Sequence, residues 1–398
     1  MLNVFYCYGI VWSIILILYS FGWSDLCSSL NGWLLFILIV FIIVSFGIGY
    51  YFKDKIKFSI PKLKKVNVKN VSKIFMVFFL FEFIIEWNIP LLNVLLGNAY
   101  NSVGFSGIPI LHMVMTSLAI IYSFYLSYIF TLTKDKKMLL HLGLILLYFL
   151  LLMQRQNILI CILIFINLFS VSIFENFKIK KIELKKKCFV GGALLLSVAL
   201  LLYLFGVFGN VRYGSNWKWN DSSMMMKLGR INDKYPSLLP EEYSWSYVYL
   251  VSPLVNLNEN IKNKSEDSSI KVGKYILEFI PEFIANKFNG YSKDKIYLPV
   301  KSLTASTSYV RAYNYTGFLG MVIMFIAQMG ISIFVLLNTK KNNSSLVVVN
   351  CMCVLYFLIF SFFENTFVYS VTSMVLLFAL IMSFDLKKIR LELLKRWK

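Results

Sequence analysis

The stretch "LLMQRQNILI", residues 151–160, decides how this chain is to be read. From Met138 to Phe174 the sequence is apolar almost without interruption, except that Gln154, Arg155, Gln156 and Asn157 break into it with one positive charge. A bilayer core of roughly 30 Å is crossed by about 20 apolar residues in a helix, so the run is too long for one crossing. Read as two helices joined by a polar turn, it becomes a hairpin with Arg155 at its tip. The chain is then polytopic.

The composition agrees. Of 398 residues, 58% are hydrophobic and 15% charged, with a mean hydropathy of +0.69. A soluble domain cannot cover its surface with so few polar groups. Ten runs have the length and apolarity of a span: residues 4–21, 32–52, 74–89, 108–132, 138–153, 156–174, 188–208, 317–337, 346–363 and 367–384. The first lacks a basic leader and a small-residue cleavage site, which predicts a retained helix. Five of the six cysteines fall in or beside these runs, and Cys27 alone lies in an outer loop, so no disulfide framework is expected there.

A net charge of +20 would point to nucleic acid in a soluble protein. Here it is distributed as a topology signal. Segments 53–73, 133–137, 175–187, 338–345 and 385–398 hold 25 of the 40 Lys and Arg residues, whereas the alternating segments 22–31, 90–107 and 364–366 hold none. The positive-inside rule makes the Lys-rich segments cytoplasmic, puts both termini inside, and excludes nucleic acid as the partner the charge implies.

One connection is unlike the others. Residues 209–316 form an outer segment rich in Trp, Tyr and Phe, which predicts a folded and functional loop. The expected division is therefore 1–208 with seven helices, 209–316 as the large loop with interfacial helices, and 317–398 with three helices and a basic tail. Within the loop, Val272, Tyr275, Ile276, Phe279, Ile280, Phe283 and Ile284 form an apolar stripe at helical spacing, kinked at Pro281, that would lie on the membrane, lid a cavity, or pack on the rest of the loop.

The chain has only six arginines, and four face outward: Arg155, Arg212, Arg230 and Arg311. The cytoplasmic loops use Lys for 23 of their 25 positive charges, so Lys is the default where charge alone is needed. A guanidinium offers a planar fork that binds phosphate in a bidentate way, which an ammonium cannot. Arg155, Arg212 and Arg311 each lie beside a span end at one membrane face, the level of a lipid-linked phosphate. Headgroup anchoring is the alternative for each, and more so for Arg230. Glu82 and Glu86, one turn apart on the third span, share a face and suit ion pairing or proton transfer. His112, at the outer start of the fourth span, is a candidate proton acceptor.

The sequence contains no phosphate loop, dinucleotide fingerprint, zinc-type motif or Asp-x-Asp pair. Neither a metal nor another cofactor is predicted. The pattern resembles the O-antigen polymerase family of oligosaccharide repeat-unit polymerases, with echoes in "WNIPLLNVLLGNAYNSVGFSGIPILHM", "LLMQRQNIL", "GVFGNVRYG", "YSWSYVYLVSPLVNLNENI" and "STSYVRAYNYTGFLGM". The Arg-x10-Gly pattern of some members does not follow any of the four outer arginines. The resemblance implies an all-α polytopic bundle of about ten transmembrane helices, of the GT-C-like glycosyltransferase kind, with one large periplasmic loop between helices 7 and 8. It implies a bacterial inner-membrane enzyme that moves a glycan between undecaprenyl-pyrophosphate carriers, with membrane lipids and a chain-length regulator protein as further partners.

On that reading Arg155, Arg212 and Arg311 bind the pyrophosphate and His112 or Glu86 takes the proton of the attacking hydroxyl. Arg230, Glu82, Tyr309 and Tyr313 are secondary candidates, with Trp217, Trp219 and Trp245 as further aromatics for stacking on sugars. The alternatives are an O-antigen ligase that delivers the glycan to lipid A core, and a transporter of the lipid-linked glycan. The transporter is disfavoured by the lack of an internal repeat.

Overall fold

A computed structural model describes residues 3–53, 67–96, 105–179, 184–213, 220–264, 270–288, 293–341 and 346–384. In chain order the helices are α1 (Val4–Ser20), α2 (Gly32–Phe52), α3 (Val68–Glu86), α4 (Pro90–Leu95), α5 (Leu111–Thr133), α6 (Lys136–Leu151), α7 (Arg155–Ile179), α8 (Leu184–Tyr213), α9 (Ser223–Leu228), α10 (Tyr243–Lys262), α11 (Val272–Leu277), α12 (Glu282–Ala285), α13 (Tyr309–Thr316), α14 (Phe318–Lys341), α15 (Val347–Ile359) and α16 (Ser370–Ser383), with a 3-10 turn at Phe360–Phe362. No strand occurs among the described residues; a single bridge pairs Ser24 with Ile231.

Each of the ten apolar runs is occupied by a helix. Five helical stretches are long and apolar enough to cross a membrane: Gly32–Phe52, Leu111–Thr133, Arg155–Ser172, Gly191–Arg212 and Phe318–Lys341. Val4–Ser20, Val347–Phe362 and Ser370–Ser383 are apolar over shorter lengths. The architecture is that of a helical, membrane-embedded protein. Helices dominate because hydrocarbon offers the backbone no hydrogen-bond partner, and a helix satisfies its own N–H and C=O groups.

The centre of the bundle is α15, which packs on α1, α5, α14 and α16. Every residue from Val347 to Leu358 is buried, an all-round apolar helix enclosed by others. Outside it, α5 carries α6 and α7, and α10 lies against α1, α8 and α13. Helix starts are set locally: Asn31 caps α2 by accepting from the backbone N–H of Trp33 and Leu34, and Asp135 caps α6 by accepting from Lys137.

The hairpin at residues 151–160 forms as the sequence implies. Helix α6 closes with Met153 in the left-handed region (φ +55°), and the Gln154 N–H donates to the Phe149 carbonyl at 2.9 Å, a Schellman-type stop. Helix α7 then begins at Arg155, at the mouth of the turn.

The apolar stripe at 271–288 is not one kinked helix. It is two short helices, α11 and α12, separated by Pro281 in an extended conformation (ψ 137°). The proline removes a donor and its ring crowds the preceding turn, and residues ahead of it find other partners. The Tyr275 hydroxyl donates to the Gly320 carbonyl at 2.7 Å, and Glu278 is bound by Asn365. Val272 and Ile276 are left exposed, so the stripe does not bury one common face.

Candidate functional site

Two chambers adjoin at one end of the bundle. The first, about 490 Å³, is polar: its walls include Arg212, Arg311, Glu278, Glu364 and the serine- and threonine-rich residues 302–308. The second, about 310 Å³, is mainly apolar, walled by Leu202, Phe205, Leu250, Phe360 and Phe362, with Arg155 and His112 among them. Gln156, Arg212, Tyr249, Phe363 and Tyr369 line both, so the chambers share a wall.

Three of the four arginines singled out in the sequence therefore line this space, Arg155 in the apolar chamber, Arg311 in the polar one, and Arg212 in both. Arg155 is 9% exposed. Its Nη1 donates to the Phe205 carbonyl at 3.3 Å and its Nη2 to the Tyr249 hydroxyl at 3.2 Å. The guanidinium carbon stands 4.5 Å from the Phe205 ring centre and 5.4 Å from those of Trp245 and Tyr249. Such an aromatic box holds a cation in a fixed orientation where water screens it poorly.

Helix α8 can approach α10 this closely because Gly209 faces the Trp245 ring, where an added Cβ would come within 2.5 Å of the indole. Trp245 is fixed in turn by its indole N–H donating to Asn210 at 2.5 Å. It is a wall of the Arg155 box. Arg311 donates to the Asp294 backbone carbonyl at 3.0 Å, and the Asp294 carboxylate is clamped by Lys271, at 2.6 Å, and Lys274. Those hydrogen bonds and charges hold the Asp294 carboxyl below the usual range.

His112 stands on the apolar chamber with Glu82 behind it. The Glu82 carboxylate is buried and lies 3.0 Å from His112 Nδ1; it accepts from the Tyr148 hydroxyl at 2.6 Å and from the Ile108 N–H at 3.3 Å. Gly107 makes the pairing possible. At φ +63° it carries the chain over the carboxylate, and a Cβ there would sit 2.6 Å from the imidazole and 2.7 Å from Glu82. A carboxylate that fixes Nδ1 leaves Nε2 as the working nitrogen.

Glu86 is elsewhere. Although one turn from Glu82, it ends α3 and accepts from Ser106 at 2.9 Å, on neither chamber wall. Arg230 is also remote: exposed and left-handed at φ +46°, it offers its carbonyl to Asp25. Tyr309 is fully buried, bonded to Tyr8 at 2.6 Å and to Gln328 at 3.1 Å, and lies on neither chamber wall. Tyr313 lies on neither wall and packs edge-on against Phe318 under the Lys264 ammonium. Trp217 and Trp219 lie outside the described residues.

Three carboxylates on the polar chamber, Glu278, Glu282 and Glu364, were not picked out by the sequence. Glu278 is buried, accepts from the Asn365 side chain at 2.8 Å, and is pushed upward in pKa by desolvation against the pull of Arg311. Glu364 sits in the turn before α16, enclosed by protein yet open on one side to the chamber. Gln156 Nε2 donates to its Oε2 at 3.2 Å and Thr372 to its Oε1. Its turn is anchored from below: Ser308 Oγ donates to the Glu364 carbonyl at 2.8 Å, and Gln328 donates to Ser308 at 3.0 Å. A single acid in a short turn between two apolar runs was the available signal.

The arrangement offers fixed cations, an imidazole backed by a carboxylate, and a buried acid, disposed between a polar and an apolar space. It suits a ligand with an anionic centre, a polar portion on one side and a hydrocarbon portion on the other. In comparisons with protein-family models, curated proteins and solved structures, the chain has no match.

Proposed function

We propose that this chain is an O-antigen polymerase, a metal-independent membrane glycosyltransferase. It transfers a glycan from an undecaprenyl-pyrophosphate donor to a sugar hydroxyl of an undecaprenyl-pyrophosphate-linked acceptor. The proposed setting is a bacterial inner membrane, with ten spans, both termini cytoplasmic and the two chambers at the periplasmic face.

The observation that carries the reading is the placement of Arg155, Arg212 and Arg311 on adjoining polar and apolar chambers that share Arg212. The diphosphate sits against the shared wall, the first isoprene units run into the apolar chamber beside Leu202 and Phe205, and the glycan occupies the polar chamber beside residues 302–308. As the glycosyl bond breaks, negative charge grows on the leaving diphosphate. Guanidinium groups fixed in advance stabilise that charge without reorganisation. Arg155, held by its ring box, keeps its geometry, and His112, its Nδ1 held by Glu82, lines the apolar chamber beside it.

The test is reconstitution. Deleting the gene makes its own lipid-linked oligosaccharide accumulate; extracted and supplied to the purified protein in liposomes, it should be converted to a ladder of lipid-linked polymers. Transfer to lipid A core alone would identify a ligase instead. Movement of the glycolipid across the vesicle membrane without elongation would identify a transporter.

A further inference from the structure

Binding a diphosphate accounts for half of a glycosyl transfer. The attacking sugar hydroxyl is a poor nucleophile until a base takes its proton. His112 is on the apolar chamber, with Nδ1 committed to Glu82. The glycan side of the site presents three carboxylates: Glu278, Glu282 and Glu364. Glu282 is bridged to Lys293 at 2.5 Å, and Glu278 is fully buried with Asn365 bonded to it. Glu364 is different in kind. Each of its oxygens takes one hydrogen bond from a neutral partner, Gln156 or Thr372, which leaves lone-pair capacity for a further donor from the chamber. Gln156 is itself part of the shared wall and follows Arg155 in sequence, so Glu364 is held beside the place assigned to the diphosphate.

We propose that Glu364 is the general base of the transfer, accepting the proton of the acceptor hydroxyl from the polar chamber. This rests on the glycosyl-transfer reading above. In the step, the hydroxyl oxygen forms a C–O bond to the anomeric carbon while its proton passes to Glu364. The bond from that carbon to the diphosphate oxygen breaks, and its electron pair leaves on the polyprenyl diphosphate. The protonated Glu364 then returns its proton to water in the chamber, so the net products are the extended glycan, polyprenyl diphosphate and one proton.

The environment supports that role. Burial pushes the Glu364 carboxyl up to about 7, and the hydrogen bonds from Thr372 and Gln156 pull against it. A base poised near neutral pH is both ionised often enough and strong enough to work. The titratable and charged groups around it are Tyr356 on α15, Tyr369 before α16, and Arg212, Arg311, Lys293, Glu278 and Glu282 on the chamber walls, with Arg155 and His112 across the shared wall. Histidine is the other residue type that titrates near neutrality, so His112 must be controlled for.

The experiment compares wild type, Glu364→Gln and His112→Gln in liposomes, using the lipid-linked oligosaccharide from the deletion strain across pH 5 to 9. Wild-type kcat/KM should fall with unit slope as the pH drops below about 7. Glu364→Gln, which keeps the shape and removes a buried charge, should lose about a hundredfold or more in kcat, with donor KM changed by no more than about twofold, and should lose the acid limb. His112→Gln, whatever its rate, should keep that limb. Wild-type-like elongation by Glu364→Gln with the limb retained would overturn the assignment of the base while leaving the glycosyl-transfer reading in place. No elongation by wild type would overturn that reading, and the base with it.

Discussion

The two chambers share five wall residues but are built from different parts of the chain. The apolar one is made from the ends of long helices: α5, α7 and α8 supply His112, Arg155, Leu202 and Phe205. The polar one is made largely from Glu278, Glu282, Lys293, residues 302–308 and the turn at 363–369, with Gln156, Arg212, Tyr249, Ser252 and Arg311 reaching in from the helices. The difference teaches how one bundle builds two unlike walls: helices give the apolar recess, while most of the polar wall is written in connecting segments held by the bundle beneath them.

The sharpest way to break this comparison is at the shared wall. Arg212→Ala removes the cation common to both chambers and should lower kcat/KM for elongation by about ten- to a hundredfold or more, from the loss of one charge-assisted contact of roughly 1.5 to 3 kcal/mol. Arg212→Lys should recover only part, since an ammonium lacks the bidentate fork. If both variants elongate at the wild-type rate, the chambers are not joined functionally.

A second substitution separates the chambers. Leu202→Trp narrows the apolar one and should raise the KM for an undecaprenyl donor by roughly threefold to tenfold, with little effect for a donor carrying a much shorter isoprenoid. The loss expected is on the order of one buried methylene or two, about 1 kcal/mol. Equal effects on long and short donors would place the hydrocarbon elsewhere.

Smaller effects concern the supports. Glu82→Gln weakens the brace behind His112 on the apolar side and should cost about 1 to 3 kcal/mol in stability, read from thermal unfolding in detergent. On the polar side, Asp294 is the brace behind Arg311. Its carboxyl is held low by Lys271 and Lys274, so its contribution is present above the ordinary carboxylate range and is lost as pH falls through the depressed value. The ion pairs are partly exposed, and Asp294→Asn should cost less than about 1 kcal/mol at neutral pH, with no remaining dependence at acid pH from this group.

How much of this was legible in the sequence follows the same division. The hairpin at 151–160 could be read because a polar tetrad in an apolar run has one economical structure, and Arg155 was placed at its mouth by that alone. Arg212 and Arg311 could be located beside span ends by hydropathy. Their convergence required the packing of α8 and of α13 on α10, the former set by Gly209 against Trp245. Glu82 and Glu86 look equivalent by spacing, yet α3 ends at Glu86 and the turn at Gly107 covers only Glu82. Glu364 was easily passed over for a comparable reason: its partner Gln156 is 208 positions away, and a lone acid in a turn, the one signal it gives, reads as an ordinary solvated residue. The stripe at 271–288 misled because helical spacing persists across Pro281 although the backbone does not.

The most direct measurement is a cryo-EM structure of the protein in lipid nanodiscs with bound undecaprenyl pyrophosphate. Density for the diphosphate within hydrogen-bonding distance of Arg212 at the shared wall, with the isoprenoid leaving past Leu202 and Phe205, is the result predicted. A diphosphate bound away from Arg155, Arg212 and Arg311, with both chambers filled only by water, would contradict it.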